Sequence, residues 1–343
     1  MRKKITLADV SREAGVGVAT VSRALGDHPD VSATTREKVR EIARRMGYRP
    51  SIAARALRSG EFHAISAIIP DAGWGWWEPV VHAAFEAASA AGYQLMVHPV
   101  AGAEGGVSSV IDGLTNVPTE GVIIISVPDQ DGARRACDQI SLPAVAVDDT
   151  SREIRFPTIS SRNRAGARDV VAHLVSQGRQ SVGLLRGTAG PQWGEGQFLE
   201  ERAAGYRDAL EGAGIAVDDR WVVDVADPFD ESVATWPELD AALADGLEID
   251  ALFCVADLMA APALRSLRGA GKSVPHDVAV VGFDDERAAL LLDPQLTTVR
   301  QPYEAMGRLA VELLLEAIDG VAQPHVRHEL DTSLVVRRSS ASS

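Results

Sequence analysis

What this chain has little of narrows its reading first. Two cysteines, Cys137 and Cys254, stand far apart with no C-x-x-C spacing. That argues against a disulfide framework or a thiolate metal site and fits buried thiols in a reducing cytoplasm. No apolar run approaches the ~20 residues of a membrane helix, and the N-terminus MRKKITLADV has basic residues without an apolar stretch behind them, so no secretory signal is read there. G-x-S-x-G, H-E-x-x-H and the phosphate-binding P-loop are all missing. The GEG inside 187–197 lacks the third glycine and the acidic partner of a dinucleotide fingerprint. His325 and His328 have a metal-like spacing but sit on a predicted terminal strand. No enzyme, metal or cofactor is therefore expected. What remains is a chain of 343 residues, 46% hydrophobic and 24% charged, with room for two or three domains.

Charge is distributed unevenly. Residues 1–60 hold 13 Lys/Arg against 6 Asp/Glu, a surplus of +7, while residues 61–343 hold 21 against 42, or −21. A basic head on an acidic body is the footprint of a nucleic-acid binder, because neutralising phosphates releases counterions. The head also has helical punctuation. Thr6 with Asp9 makes a capping-box start, Leu7, Val10 and Ala14 share a face, and Gly15 stops the helix. A second helix, about Val18 to Leu25, buries Val21 and Leu25; a third starts at Ser32, buries Val39, Ile42, Ala43 and Met46, and ends at Gly47. Two short helices joined tightly make a helix-turn-helix, whose second helix enters the DNA major groove. After Pro50, Ser51 to Leu57 is short and Ala-rich, with high helix propensity.

TLADVSREAGVGVATVSRAL, then VSATTREKVREIARRMGYRP, then an Ala-Arg-x-Leu hinge together resemble the LacI/GalR family of bacterial transcription regulators. The resemblance is strong in the head and looser to the C-terminus. It places Val18, Ala19 and Arg23 toward bases: the first two suit a thymine methyl and the arginine a guanine edge, although Val18 also suits core packing. Thr20 and Ser22 suit phosphates, and Thr6 is counted with the DNA-facing residues. In the hinge, Leu57 matches the family's minor-groove wedge, with Arg55 and Arg58 beside it. Gly17 and Ser51 depart from the usual Ser and Asn.

Beyond Gly60, strand and helix patterns alternate in two series, implying parallel sheets covered on both faces. Two such series resemble the bilobed binding-protein core that this family carries, so the resemblance implies an all-α helix-turn-helix head plus an α/β periplasmic-binding-protein-like core of two doubly wound parallel-sheet lobes. The expected boundaries are 1–49 for the head, 50–60 for the hinge and 61–343 for the effector-binding and dimerisation core. Within the core, lobe 1 takes about 61–161 and 292–324, and lobe 2 about 162–291 and 325–338.

Ligands of such folds bind beyond the carboxyl ends of strands. There the resemblance places Trp74, Trp76, Trp77, Ser126, Asp148, Arg202, Asp284 and Gln301, with Phe229 as a weaker candidate. Trp193, in the Gly-rich loop 187–197, reaches the ligand if that loop is a lid. Indoles suit a sugar's apolar face or a purine, or else a lobe interface; the carboxylates and arginine suit hydroxyls, or else surface ion pairs. Ala256 for the common Asn, Phe198 for a small polar residue and Arg162 for Asp make the pocket more aromatic and less polar than usual. The resemblance implies a homodimer on a pseudo-palindromic double-stranded operator, most simply a repressor induced by a small carbohydrate. The alternative is a regulator strengthened by a purine-like or protein corepressor.

Overall fold

The structure, a computed structural model, describes residues 5–26, 29–48, 62–71, 75, 77–100, 106–127, 129–149, 151, 153–187, 197–228, 230 and 232–341. Arg55, Leu57 and Arg58 of the expected hinge, and Trp74, Trp76, Trp193 and Phe229, lie outside these residues. The chain divides into two compact units, Met1–Phe62 and His63–Ser343.

In the first unit, helices α1 (Leu7–Ala14), α2 (Val18–Leu25) and α3 (Ala33–Met46) follow one another. Thr6 caps α1 reciprocally: its hydroxyl accepts from the Asp9 amide at 3.3 Å, and the Asp9 carboxylate accepts from the Thr6 amide at 3.0 Å. Gly15 takes φ 68°, a left-handed turn that costs glycine little. Gly17 heads α2 without a side-chain cap, as its missing Cβ requires, and Ser32 caps α3 by accepting from the Thr35 amide. Val10, Ala14, Val21, Ala24, Val39, Ile42 and Ala43 meet in a small core.

The second unit contains two parallel sheets. The first sheet uses β1 (Ala64–Pro70), β2 (Gln94–Val100), β3 (Val122–Ile125), β4 (Ala144–Val147), β5 (Thr158–Ser161) and β11 (Arg327–Leu330), in the order β11-β5-β4-β3-β1-β2. Alternation within β3 shows why both faces are covered. Ile123 and Ile125 enter one core with α4 (Trp77–Ala90) and α12 (Tyr303–Ile318); Val122 and Ile124 enter the other with α5 (Gly106–Gly113) and α6 (Gln130–Gln139). The second sheet uses β6 (Val182–Gly187), β7 (Val222–Val225), β8 (Ala251–Cys254) and β9 (Ala279–Val281) in the order β7-β6-β8-β9. One core joins it to α7 (Asn163–Ser176), α8 (Gln197–Gly212), α9 (Pro237–Ala244), α10 (Asp257–Gly269) and α11 (Arg287–Leu291). The two sheets with their helices are the two lobes.

The late crossings differ from expectation. The segment 325–338 was assigned to the second lobe, but Arg327–Leu330 adds to the first sheet beside Thr158–Ser161. Only then does β12 (Ser333–Val335) pair antiparallel with β10 (Thr298–Arg300). Nor do residues 292–300 belong to the first lobe. Thr297 is held by Ser339 and Arg337, and Thr298 donates to Asp257 at 2.6 Å, which keep this stretch against the second lobe until after Arg300. The reason is edge pairing: β5, a four-residue strand, has an open edge that β11 satisfies. The chain thus passes between lobes at Ser161–Asn163, Arg300–Tyr303 and Leu330–Ser333. The Arg162 amide donates to the Leu330 carbonyl (3.0 Å), and the Ser161 hydroxyl to Gln301 Oε1 (2.6 Å), so the crossings are stitched side by side.

Candidate functional site

The head's outward face belongs mostly to α2. Val21 and Ala24 point into the core, and helical spacing turns Val18, Ala19 and Arg23 the other way. Val18 is 47% exposed, which removes it from the core and leaves an apolar side chain facing solvent. Thr20 and Ser22 are half-buried at the margins of that face, and Thr6 is exposed at the tip of α1. Val18, Ala19 and Thr20 open α2, the end that a helix-turn-helix turns toward base edges, whereas Arg23 lies in its last turn and Thr6 caps α1.

The core's polar residues converge where strands end. Ser126 follows β3, Asp148 follows β4, Asp284 lies three residues beyond β9, and Gln301 follows β10. Ser126, Asp148 and Asp284 have φ of 47°, 56° and 118°, a region that side chains other than glycine avoid. Backbone held there costs on the order of 1–3 kcal/mol each and persists where the surroundings enforce it, commonly at binding sites.

Arg202, on α8, is the centre of this arrangement and is 3% exposed. Its Nε donates to Asn163 Oδ1 (2.9 Å), its Nη1 to the Val255 carbonyl (2.6 Å), and its Nη2 pairs with Asp284 Oδ1 (3.2 Å). Its guanidinium lies 3.7 Å from the Phe283 ring centre and 5.1 Å from that of Phe198. Phe198 thus stacks on the arginine where a polar residue was the family's usual choice. Gln301 Nε2 donates to the same Asp284 oxygen (2.6 Å), and the Tyr303 hydroxyl donates to the Asp284 carbonyl (3.0 Å). Because Gln301 and Asn163 belong to interlobe crossings, the site is built on the interlobe hinge that these crossings form, which is distinct from the DNA-side hinge expected at 50–60.

Electrostatics set the first lobe's contribution. Burial pushes Asp148 up to about 7, against the pull of Arg202, with Asp284 adding to the rise and the Ser126 hydroxyl (3.3 Å) opposing it. Burial also raises Asp284, opposed by Arg202 and Gln301. Asp257 is raised well above the usual carboxylate range by burial and by Asp284. Its two oxygens accept from Thr298 and from the Glu286 amide, so its work is to tie loops together.

Placement separates the expected residues. Ser126, Asp148, Arg202, Asp284 and Gln301 come together. Trp77 does not join them as an open stacking surface: at 3% exposure it packs in the first lobe's core at the start of α4. Its indole is an apolar anchor, and burial of such an area outweighs a solvent-facing role. Arg162 pairs with Asp331 at 2.7 Å on the exposed side of the hinge. Asn163, Ser161 and Tyr303 were missed by sequence reasoning. Their partners lie up to 145 residues away, and Asn163 carried a signal only as a polar residue opening a helix between two lobes. Among the described residues no group of His, Cys, Asp and Glu is arranged to hold a metal ion. No helix among them is long and apolar enough to cross a membrane.

Comparison with known proteins gives consistent results. Residues 6–51 match the model for bacterial regulatory proteins of the lacI family, and residues 171–340 match a periplasmic binding protein-like domain. The HTH-type transcriptional regulator CelR of Thermobifida fusca is 33% identical, over 98% of this chain and 99% of its own. The ribose operon repressor of Halalkalibacterium halodurans is 30% identical over 98% and 97%. Among solved structures, the lac repressor dimer bound to operator and the anti-inducer ONPF superposes with TM-score 0.84 at 26% identity, covering 99% of this chain and 100% of that one. A CelR–cellobiose complex gives 0.69 at 28% identity, covering 98% and 100%.

Proposed function

The chain belongs to the lacI family of bacterial regulatory proteins, and we propose that it is a homodimeric repressor released from a pseudo-palindromic operator when a small carbohydrate binds between its lobes. Residues 1–49 read the operator, 50–60 form the hinge on DNA, and 61–343 sense the effector and dimerise. Val18, Ala19 and Arg23 contact bases, Thr6, Thr20 and Ser22 contact phosphates, and Leu57 wedges the minor groove flanked by Arg55 and Arg58. Support for this comes from the solvent-facing side of α2 and from the head's surplus of positive charge.

The observation that carries the effector reading is the convergence of Asp148, Ser126, Arg202, Asp284 and Gln301 at strand ends, on hinge segments. Directional acceptors and donors in a largely buried, strained setting suit neutral hydroxyls, which both accept and donate. Relatives include regulators named for ribose and crystallised with cellobiose. Trp74, Trp76, Trp193 and Phe229, which lie outside the described residues, are the further effector contacts of this proposal. A ligand bridging both lobes closes them, and closure shifts the partner interface so that the paired hinges separate, which is a coupling free energy between two sites.

The experiment is a thermal-shift screen of mono- and disaccharides, cellobiose included, alongside purines, followed by operator binding with and without each hit. A saccharide that raises the melting temperature and weakens operator binding is the expected result. A purine that strengthens operator binding would replace induction by corepression.

A further inference from the structure

One side chain outside the ligand set holds both lobes at once. Arg327 lies on β11, in the first lobe's sheet. Its Nη2 donates to the carbonyls of Ser151 (2.9 Å) and Asp149 (3.4 Å), in the loop that follows β4 of the same lobe. Its Nη1 pairs with Glu201 Oε1 at 3.3 Å, and Glu201 is on α8 of the second lobe. The two side chains are 16% and 24% exposed, so this is not a solvated surface pair of negligible worth.

The neighbours of these partners give the contact its meaning. Asp149 follows Asp148, and Glu201 precedes Arg202: the flanking residues of one cleft residue from each lobe meet at a single guanidinium. Asn163, which accepts from Arg202 Nε, also donates to the Ser161 carbonyl at 3.2 Å, so the Arg202 side of the cleft is anchored to the crossing at Ser161–Asn163. Asp149 is 2% exposed, its Oδ1 occupied by the Ser151 amide and hydroxyl. Asp149 Oδ2 and Arg327 Nε are buried with no partner among the described residues. Burial raises the Asp149 carboxyl, opposed first by the Ser151 hydroxyl and amide and then by the charges of Arg327 and Arg155, while the fork of Arg327 reaches across to the other lobe.

We infer that Arg327 is an interlobe latch, whose pairing with Glu201 sets the resting separation of Asp148 and Arg202 and so how readily the cleft closes on an effector, without touching that effector. As a positioning residue it acts through the lobe angle. Three chain crossings leave that angle free to vary, and a charged contact to one side of the hinge is well placed to fix it. The inference relies on the repressor reading only for what finally occupies the cleft.

The test needs neither ligand nor DNA. Spin labels at Gln139→Cys in the first lobe and Glu211→Cys in the second, both exposed positions, report the lobe separation by pulsed electron resonance, and the native cysteines are buried. Labelled subunits are assembled with an excess of unlabelled ones, so that each dimer carries one pair. Arg327→Met and the isosteric Glu201→Gln should each shift the distance distribution to longer values and broaden it. The double variant should go no further than Arg327→Met, and Arg327→Lys should restore part of the wild-type distribution. If Arg327→Met is too unstable to purify, Glu201→Gln decides alone. Distributions that superimpose on wild type, even with a lowered melting temperature, would reduce the contact to ordinary packing and overturn the latch.

Discussion

Arg202 shows how a binding residue can also be a keystone. Its three donated contacts leave Asn163, the Val255 carbonyl and Asp284 dependent on it, all in the second lobe or its hinge. Removing one partner of a buried ion pair strands the other charge, at a cost of about 3–5 kcal/mol. Arg202→Ala should therefore lower the core's unfolding free energy by that order in denaturant titration and also abolish the effector response. A variant as stable as wild type would show that the network relaxes around the loss. Asp148 allows a pH test. Its folded pKa is about 7, above the ordinary 3.8, so the folded state holds the proton longer than the unfolded chain. Stability from this group is intact below about 4, falls as pH rises through 4 to 7, and is flat above. Asp148→Asn should raise the melting temperature relative to wild type by a margin that grows over the same window. Parallel curves from pH 4.5 to 8 would remove the assignment. Asp148 was legible because it follows a strand, and Arg202 because it stands three residues before Gly205 as the family pattern has it. Asn163, Glu201 and Arg327 were not, because a contact between lobes imposes no period and its partners are remote in the chain.

At the scale of elements, one helix pair in each lobe depends on a glycine. Gly307 on α12 lies so close to α4 that a Cβ would enter the Val80 carbonyl oxygen, and Gly205 on α8 stands the same way to the Arg164 carbonyl on α7. Backbone cannot yield as a flexible side chain does, so Gly307→Ala should push α12 off α4. The loss should exceed the 1–3 kcal/mol typical of overpacking, with soluble expression and melting temperature as the readouts; a neutral effect would mean the helices can slide. Such glycines do not announce themselves in the sequence, where they sit in the middle of helical patterns that disfavour them. Helix starts and stops did announce themselves: Thr6, Gly15, Ser32 and Gly47 act where their chemistry predicts. Of the two last strands, Arg327–Leu330 was misassigned for a different reason. Arg327–Leu330 and Ser333–Val335 are separated by two residues and read as one strand, yet they pair in different sheets, because only the open edges of β5 and β10 decide where each goes.

For the molecule as a whole, charge separation does what no single residue can. The head carries +7 and the remaining chain −21, so the acidic part is repelled by DNA and the attraction is confined to residues 1–60. Screening shortens both effects, with a Debye length near 8 Å at physiological salt, but the attraction also includes counterion release, which salt opposes directly. Each phosphate contact should add about 0.9 to the slope of log affinity against log salt. Two heads on one operator should double the slope of a single head, since each brings its own set of contacts. Operator binding by fluorescence anisotropy between 50 and 200 mM salt should therefore fall steeply for the intact protein. Binding of a fragment ending before the core should fall about half as steeply if it binds as a monomer. Substituting Arg23 should relax sequence preference with little change in slope, because a base contact carries specificity and a phosphate contact carries salt dependence. A flat plot for the intact protein would remove the head as the phosphate-binding surface. An equal slope for the fragment would mean that one head, not a two-fold pair, engages the operator.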